Sequence, residues 1–229
     1  MATITTAFAV PIVTAQLDAP QALNAELRDL FLECEAQGDK YANPDPYTHR
    51  NEALFESAFN LFDWPHPAVA RMRDFCLSHL YQTIGELNGY DTATLQRLHM
   101  ASESWFHVTR RGGYFGVHNH PMHSWSGVYC VCQDGDEANR DSGRLTFISP
   151  FITNTMFVDM ASHRMKPPYQ LGSIPMRLTP GQLVLFPSWM LHEVSAFEPE
   201  EAGLRITVAF NARFRMQGVE RHAPAFPAR

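Results

Sequence analysis

The sequence predicts a mainly β protein: a β-sandwich or barrel buttressed by N-terminal helices. Two N-terminal stretches carry apolar residues at helical spacing. From Leu95 onward the pattern changes to short segments of period 2 or continuous apolar character, broken by turn signals. At 229 residues the chain is long enough to close one such core. The expected organisation is one domain over 1–229, with a helical support region over 1–94, a β core over 95–212 and a C-terminal tail over 213–229.

The first helix is expected in PQALNAELRDLFLECEAQG, where Leu23, Leu27, Leu30 and Phe31 form one stripe and Gly38 is a stop signal. A second starts near Pro67, which suits a first helical turn, and runs through Val69, Met72, Phe75, Cys76, Leu80 and Ile84 toward Gly89. Between them DKYANPDPYTHRNEALF carries prolines at 44 and 46 among Asn and Asp, which predicts a loop. No chemical constellation sits in it, so a surface excursion is expected. Strands are expected near 98–109, 114–119, 126–132, 144–148, 175–178, 183–186 and 204–211, with turns at Arg111-Gly112-Gly113, Asp141-Ser142-Gly143 and Pro180-Gly181. No repeat or low-complexity tract divides the chain.

Composition narrows the function classes. Hydrophobic residues make up 45% and charged residues 18%, which fits a folded chain. The net charge of −6 disfavours extended nucleic acid as a partner, because phosphate binding needs clustered Lys and Arg. MATITTAFAVPIVTAQLDAP lacks a basic segment followed by a long apolar run, and no run of about 18 apolar residues follows. A cytoplasmic protein without a membrane partner is expected. The four cysteines, Cys34, Cys76, Cys130 and Cys132, make no CxxC pair. Cys130 and Cys132, two apart on a strand, are expected to share a face as reduced core thiols. No coiled-coil heptad or edge-strand device indicates an oligomeric state.

Three of the 11 histidines fall within His118-Asn119-His120-Pro121-Met122-His123. His118 and His120 project from one face of an extended strand and could meet one ion, although an HxH pair alone is equally compatible with a surface role. A third ligand is offered by His192, just past the apolar strand LVLF, where a hydrogen-bonded core histidine is the ordinary alternative. In Leu204–Asn211 the alternation places Ile206, Val208 and Phe210 on one face and Arg205, Thr207, Ala209 and Asn211 on the other. Arg205 is then an internal ion pair, an outward charge, or a clamp for an anionic small molecule beside the metal.

Taken in order, HNHPMHSWSGVYCV, SGRLTFISP, LTPGQLVLFPSWMLHEVSAF and GLRITVAFN resemble the core blocks of the 2-oxoglutarate and Fe(II)-dependent oxygenases. They are similar to a bacterial and phage branch of this family with H-x-H-P followed by S-G-V-Y. The resemblance covers roughly residues 95–212. It implies a double-stranded β-helix, a cupin-like jelly roll with iron at its open mouth. By it, His118 and His192 match the two metal histidines, Arg205 the partner of the far carboxylate of 2-oxoglutarate, and Thr207 the hydroxyl position two residues later. Tyr129 could hydrogen-bond the cosubstrate or pack in the core.

One position departs from the pattern: His120 stands where the superfamily usually has Asp or Glu. This gives a three-histidine set of His118, His120 and His192, with His123 in reserve and Glu193, Asp134 and Asp136 as carboxylates near the motifs. The resemblance implies Fe(II), 2-oxoglutarate and dioxygen, with oxidative decarboxylation coupled to hydroxylation of a small-molecule or peptide substrate. The pocket would be lined from Trp105, Phe106, Tyr114, Phe115, Trp125 and Trp189, with Trp125, Trp189 and Tyr114 singled out. Two other readings stay open: a cupin-like three-histidine dioxygenase that uses no oxoacid, and a non-catalytic metal- or ligand-binding jelly roll.

Overall fold

A computed structural model describes residues 2–135, 139–151, 157–200 and 202–218. In chain order the elements are β1 (Val13–Gln16), α1 (Gln21–Ala36), β2 (Leu54–Glu56), α2 (Pro67–Asn88), α3 (Thr92–Gln96), β3 (Leu98–Thr109), β4 (Phe115–His118) and β5 (Trp125–Gln133). They continue with β6 (Leu145–Phe147), β7 (Ile174–Met176), β8 (Gln182–Pro187), β9 (His192–Val194) and β10 (Arg205–Met216). No described helix is long and apolar enough to cross a membrane.

Both long helices follow their sequence signals. Pro67 occupies the first turn of α2, His66 Nδ1 accepts from the Ala68 amide at 3.2 Å, and Gly89 closes the helix at φ 65°. Their apolar stripes cover the outer face of a six-stranded antiparallel sheet ordered β1-β8-β5-β10-β3-β2. There Phe31 of α1 stacks on Phe106 of β3 with centroids 4.2 Å apart. A second sheet, ordered β4-β9-β6-β7, faces the inner side of the first, and Phe115, Leu145, Phe147, Val184 and Phe186 fill the space between them. This is the helix-backed jelly roll that the sequence predicts.

Several boundaries differ from expectation. The support region contributes β1 and β2 to the large sheet, because these short segments pair with β8 and β3 rather than with local neighbours. Strand β10 runs past 212 to Met216, paired with β3 throughout; the expected tail beyond 218 lies outside the described residues. The short β9 was not expected. Nor do Cys130 and Cys132 share an environment. Thr207 pairs with Cys130 and Ile206 with Cys132, so Val131 is an extra residue that breaks the period of 2. Cys130 therefore packs between the sheets and Cys132 beneath the helices. All four thiols are buried and free.

Candidate metal and cosubstrate site

The register of β4 against β9 sets His118 directly opposite His192. His120 follows two residues later, its amide anchored to the Ser188 carbonyl at 2.9 Å. One ligand nitrogen from each of His118, His120 and His192 lies within 4.8 Å of the others. Two of the rings are fixed by backbone carbonyls: His118 Nδ1 lies 2.7 Å from Gly116 O and His192 Nδ1 2.9 Å from Met190 O. A carbonyl can only accept, so each Nδ1 carries the proton and each Nε2 lone pair turns inward. Burial, reinforced by neighbouring imidazoles, pushes His120 down to about 2 and His192 to about 3; burial also holds His118 below its ordinary value. All three rings are therefore neutral near pH 7, the form that binds a metal. A divalent iron, nickel, copper or zinc ion fits this donor set.

His123 does not join the cluster. Its Nε2 points to Glu103 at 3.7 Å, since Pro121 and Met122 turn the chain between the two histidines. Of the nearby carboxylates, Asp134 caps the Leu204 amide at 3.0 Å, Glu193 lies outside the pocket lining, and Asp136 lies outside the described residues. Among the described residues the third inward-facing ligand atom comes from His120.

Beneath the histidines lies a pocket whose floor is the face of β10 read from the sequence: Arg205, Thr207, Ala209 and Asn211. Arg205 is 2% exposed, and its Nε donates to the Gly143 carbonyl at 3.0 Å. Gly143 sits at φ 59°, and a Cβ there would lie 2.8 Å from Arg205 Cδ, so glycine is what lets the side chain pass. Among the described residues no carboxylate lies within 4.0 Å of the guanidinium. Burial sets aside an outward arginine, and among the described residues the charge has no ion-pair partner and lines the pocket. Thr207, 1% exposed, shares the wall. A dicarboxylate fits this donor pair, because a planar fork and a hydroxyl satisfy one carboxylate end.

Five residues expected at the site are elsewhere. Tyr129, Gly127 and Trp125 alternate onto the helix-facing side of β5, and the Tyr129 hydroxyl donates to Asn24 Oδ1 of α1 at 2.7 Å. Neither Tyr129 nor Trp125 lines the pocket; both faces of β5 are apolar, so the pattern could not orient it. Trp189 sits in a turn at 53% exposure, and Tyr114 leans on His49 with ring centroids 5.5 Å apart. Phe106 packs under the helices, whereas Trp105 and Phe115 do line the site.

Residues that the sequence did not announce complete the walls. Asn43 and Tyr47 come from the segment expected to be a surface excursion, and Glu56 from β2 beside it. Glu56 is held by Arg50 at 2.8 Å and Asn43 at 2.7 Å, and its Oε2 lies 3.1 Å from His107 Nε2. The same Nε2 receives the Trp105 indole N–H at 2.8 Å. One ring nitrogen can accept from Trp105 or donate to Glu56, not both. Glu103, Trp105 and His107 share a face of β3 by simple alternation, a signal present in SESWFHVT.

Comparison with known proteins agrees with this geometry. Residues 103–211 match the family described as "Putative 2OG-Fe(II) oxygenase". No curated protein matches the chain. Similar solved structures include a prolyl-4-hydroxylase from Pseudomonas putida, 18% identical with a TM-score of 0.55, covering 91% of this chain and 94% of that one. A prolyl hydroxylase from Trichoplax adhaerens, solved with a hypoxia inducible factor peptide fragment, is 11% identical with a TM-score of 0.57, over 88% and 82%. HygX from Streptomyces hygroscopicus, with nickel and 2-oxoglutarate bound, is 10% identical with a TM-score of 0.53, over 89% and 83%. At such identities the structures speak to the fold, and the match over 103–211 to the sequence. Residues 103–211 are thus similar to the 2OG-Fe(II) oxygenase family, and the fold is the one that these solved oxygenase structures share.

Proposed function

We propose that this protein is a hydroxylase that couples oxidative decarboxylation of 2-oxoglutarate to hydroxylation of a small-molecule or peptide substrate. The helices, both sheets and their shared site are read as one oxygenase domain. The observation that carries the reading is Arg205: a buried guanidinium that pairs with no carboxylate among the described residues, with Thr207 beside it, on the floor of the pocket that three inward-facing histidines roof. Leaving such a charge without a partner is costly unless a ligand supplies one.

In this reading His118, His120 and His192 hold Fe(II) through Nε2 or the equivalent ring nitrogen, and Arg205 with Thr207 anchors the far carboxylate of 2-oxoglutarate. When bound, iron supplies dioxygen activation: 2-oxoglutarate, dioxygen and R–H become succinate, carbon dioxide and R–OH. The chain's own task is to orient and to exclude water. The Gly116 and Met190 carbonyls fix two ligand rings, Gly143 fixes the Arg205 stem, and Phe115 and Trp105 keep the centre apolar. Similar folds accept either substrate class, a peptide fragment in the Trichoplax enzyme and hygromycin B in HygX.

The test is an anaerobic titration of the Fe(II)-loaded protein with 2-oxoglutarate, following the visible charge-transfer band of the chelate. A saturable band that Arg205→Ala weakens supports the reading. A second reading, a three-histidine dioxygenase independent of the oxoacid, is favoured by His120 in the usual carboxylate position. Full iron occupancy with no band would select it.

A further inference from the structure

The paired strands β10 and β3 divide the pocket floor into rows: Thr207 with His107, Ala209 with Trp105, and Asn211 with Glu103. Arg205 stands at one end. The other end, about 13 Å along the strand from Thr207 to Asn211 at roughly 3.3 Å per residue, has a different chemistry. Of its polar groups, only Glu103 has a contact described above, with His123.

Asn211 is 4% exposed and lines the pocket. Ser126 Oγ donates to its Oδ1 at 2.8 Å, and Ser126 in turn pairs with Ser188 Oγ at 2.8 Å, which fixes the amide. Its Nδ2 has no hydrogen-bond partner among the described residues, and the residue lines the pocket. Directly across the strand pair, the one ion-pair contact of the Glu103 carboxylate among the described residues is His123 Nε2, at 3.7 Å. Aromatic surface flanks this end: Phe59 packs on Trp105 with centroids 4.5 Å apart, and Tyr47 lies beside them. Burial, and then the charges of Glu103, Glu56 and Asp45, push the Tyr47 phenol up. Apart from the histidines, the lining cation of the pocket is Arg205, at the far end. Arg213, next on the same face, is exposed and outside the lining.

We propose that this end of the pocket binds the prime substrate through a protonated nitrogen, an ammonium or guanidinium held by Glu103 against the Trp105–Phe59 wall, with Asn211 Nδ2 donating to a neighbouring substrate oxygen. The pairing uses the attraction of a cation for both a carboxylate and an aromatic face. Trp105 lies between Glu103 and the metal cluster, its ring centroid 6.0 Å from that of His120. A short alkyl chain running back from the nitrogen therefore reaches the histidines. Which end receives the prime substrate rests on the oxygenase reading; the cation site itself does not.

The experiment is calorimetric titration of the protein with Fe(II) and 2-oxoglutarate, without dioxygen. The probes are 1,5-diaminopentane, a capped Ala-Ala-Lys-Ala-Ala peptide, and the same peptide carrying norleucine or 2-aminoadipate in place of lysine. The expected result is saturable binding of the diamine, the lysine peptide or both, at least about tenfold tighter than the norleucine peptide, weakened about tenfold in Glu103→Gln and by added salt. The free amine and the peptide separate a metabolite from a side chain as the source of the cation. Equal binding of lysine and norleucine peptides, preference for 2-aminoadipate, undiminished binding by Glu103→Gln, or no cation binding at millimolar concentration overturns the proposal. The heat signal needs no charge-transfer band, so failure of the oxygenase reading is seen separately.

Discussion

Replacing Arg205 with Ala probes the proposed cosubstrate site most directly. In the free protein the guanidinium is buried, and it makes one described hydrogen bond, from Nε to Gly143 O at 3.0 Å. A bound carboxylate would turn an uncompensated charge into a paired one. Breaking such a buried pair costs about 3–5 kcal/mol, which at 1.36 kcal/mol per tenfold is a loss of roughly 10²- to 10⁴-fold in 2-oxoglutarate affinity. Stability without ligand should change little. The lost packing of the arginine stem is offset by removal of an unpaired buried charge, and a net change within about 1 kcal/mol is expected. Thermal or chemical unfolding with and without the oxoacid reads both quantities. At 100 times its Kd the ligand stabilises wild type by about 2.7 kcal/mol, whereas a variant weakened 100-fold gains only about 0.4 kcal/mol at that concentration. Arg205→Lys should recover part of the charge but not the fork. Oxoacid affinity within about threefold of wild type in Arg205→Ala would refute the assignment, because no buried charge pair is worth so little. Loss of metal binding alongside would mean that the variant had disturbed the whole site.

Three further outcomes are expected. Ala at His118, His120 or His192 should each abolish tight Fe(II) binding, while His123→Ala should leave occupancy intact; metal analysis after gel filtration decides, and retention by His120→Ala would remove it from the ligand set. Metal-free protein should lose stability as pH falls below 6.5. His120 and His192 have folded values near 2 and 3, so the unfolded chain binds protons the native one refuses, giving up to about 1.4 kcal/mol per pH unit for each ring. Denaturant titrations in chelator would show no slope between pH 6.5 and 4 if those rings were already protonated when folded. Tyr129→Phe should cost about 0.5–2 kcal/mol of stability by stranding Asn24 Oδ1, without altering oxoacid affinity; a weakened charge-transfer titration would return Tyr129 to the cosubstrate site.

Much of the fold was written in local periodicity. Both long helices and seven of the strands follow from apolar spacing and from glycine and proline stops, because an element that buries one face must repeat at its own period. The floor of the site was equally legible. Alternation along LRITVAFN separates Arg205, Thr207, Ala209 and Asn211 from Ile206, Val208 and Phe210, and β10 obeys it.

The rest depended on which surfaces meet. The sequence supplied His118, His120 and His192, but only the β4–β9 register brings residues more than 70 positions apart within one coordination sphere. Alternation divides β5 into two sets without saying which faces the helices, since both are apolar; this is why Tyr129 and Trp125 went to the outer layer. The bulge at Val131 broke the alternation itself and parted Cys130 from Cys132. Asn43 and Tyr47 reach the pocket because β2 joins the large sheet at β3, a long-range pairing with no local signature. Local sequence fixes a residue's face and chemistry; its partners come from contacts between distant segments, and here those contacts assemble the histidine cluster and the two ends of the pocket.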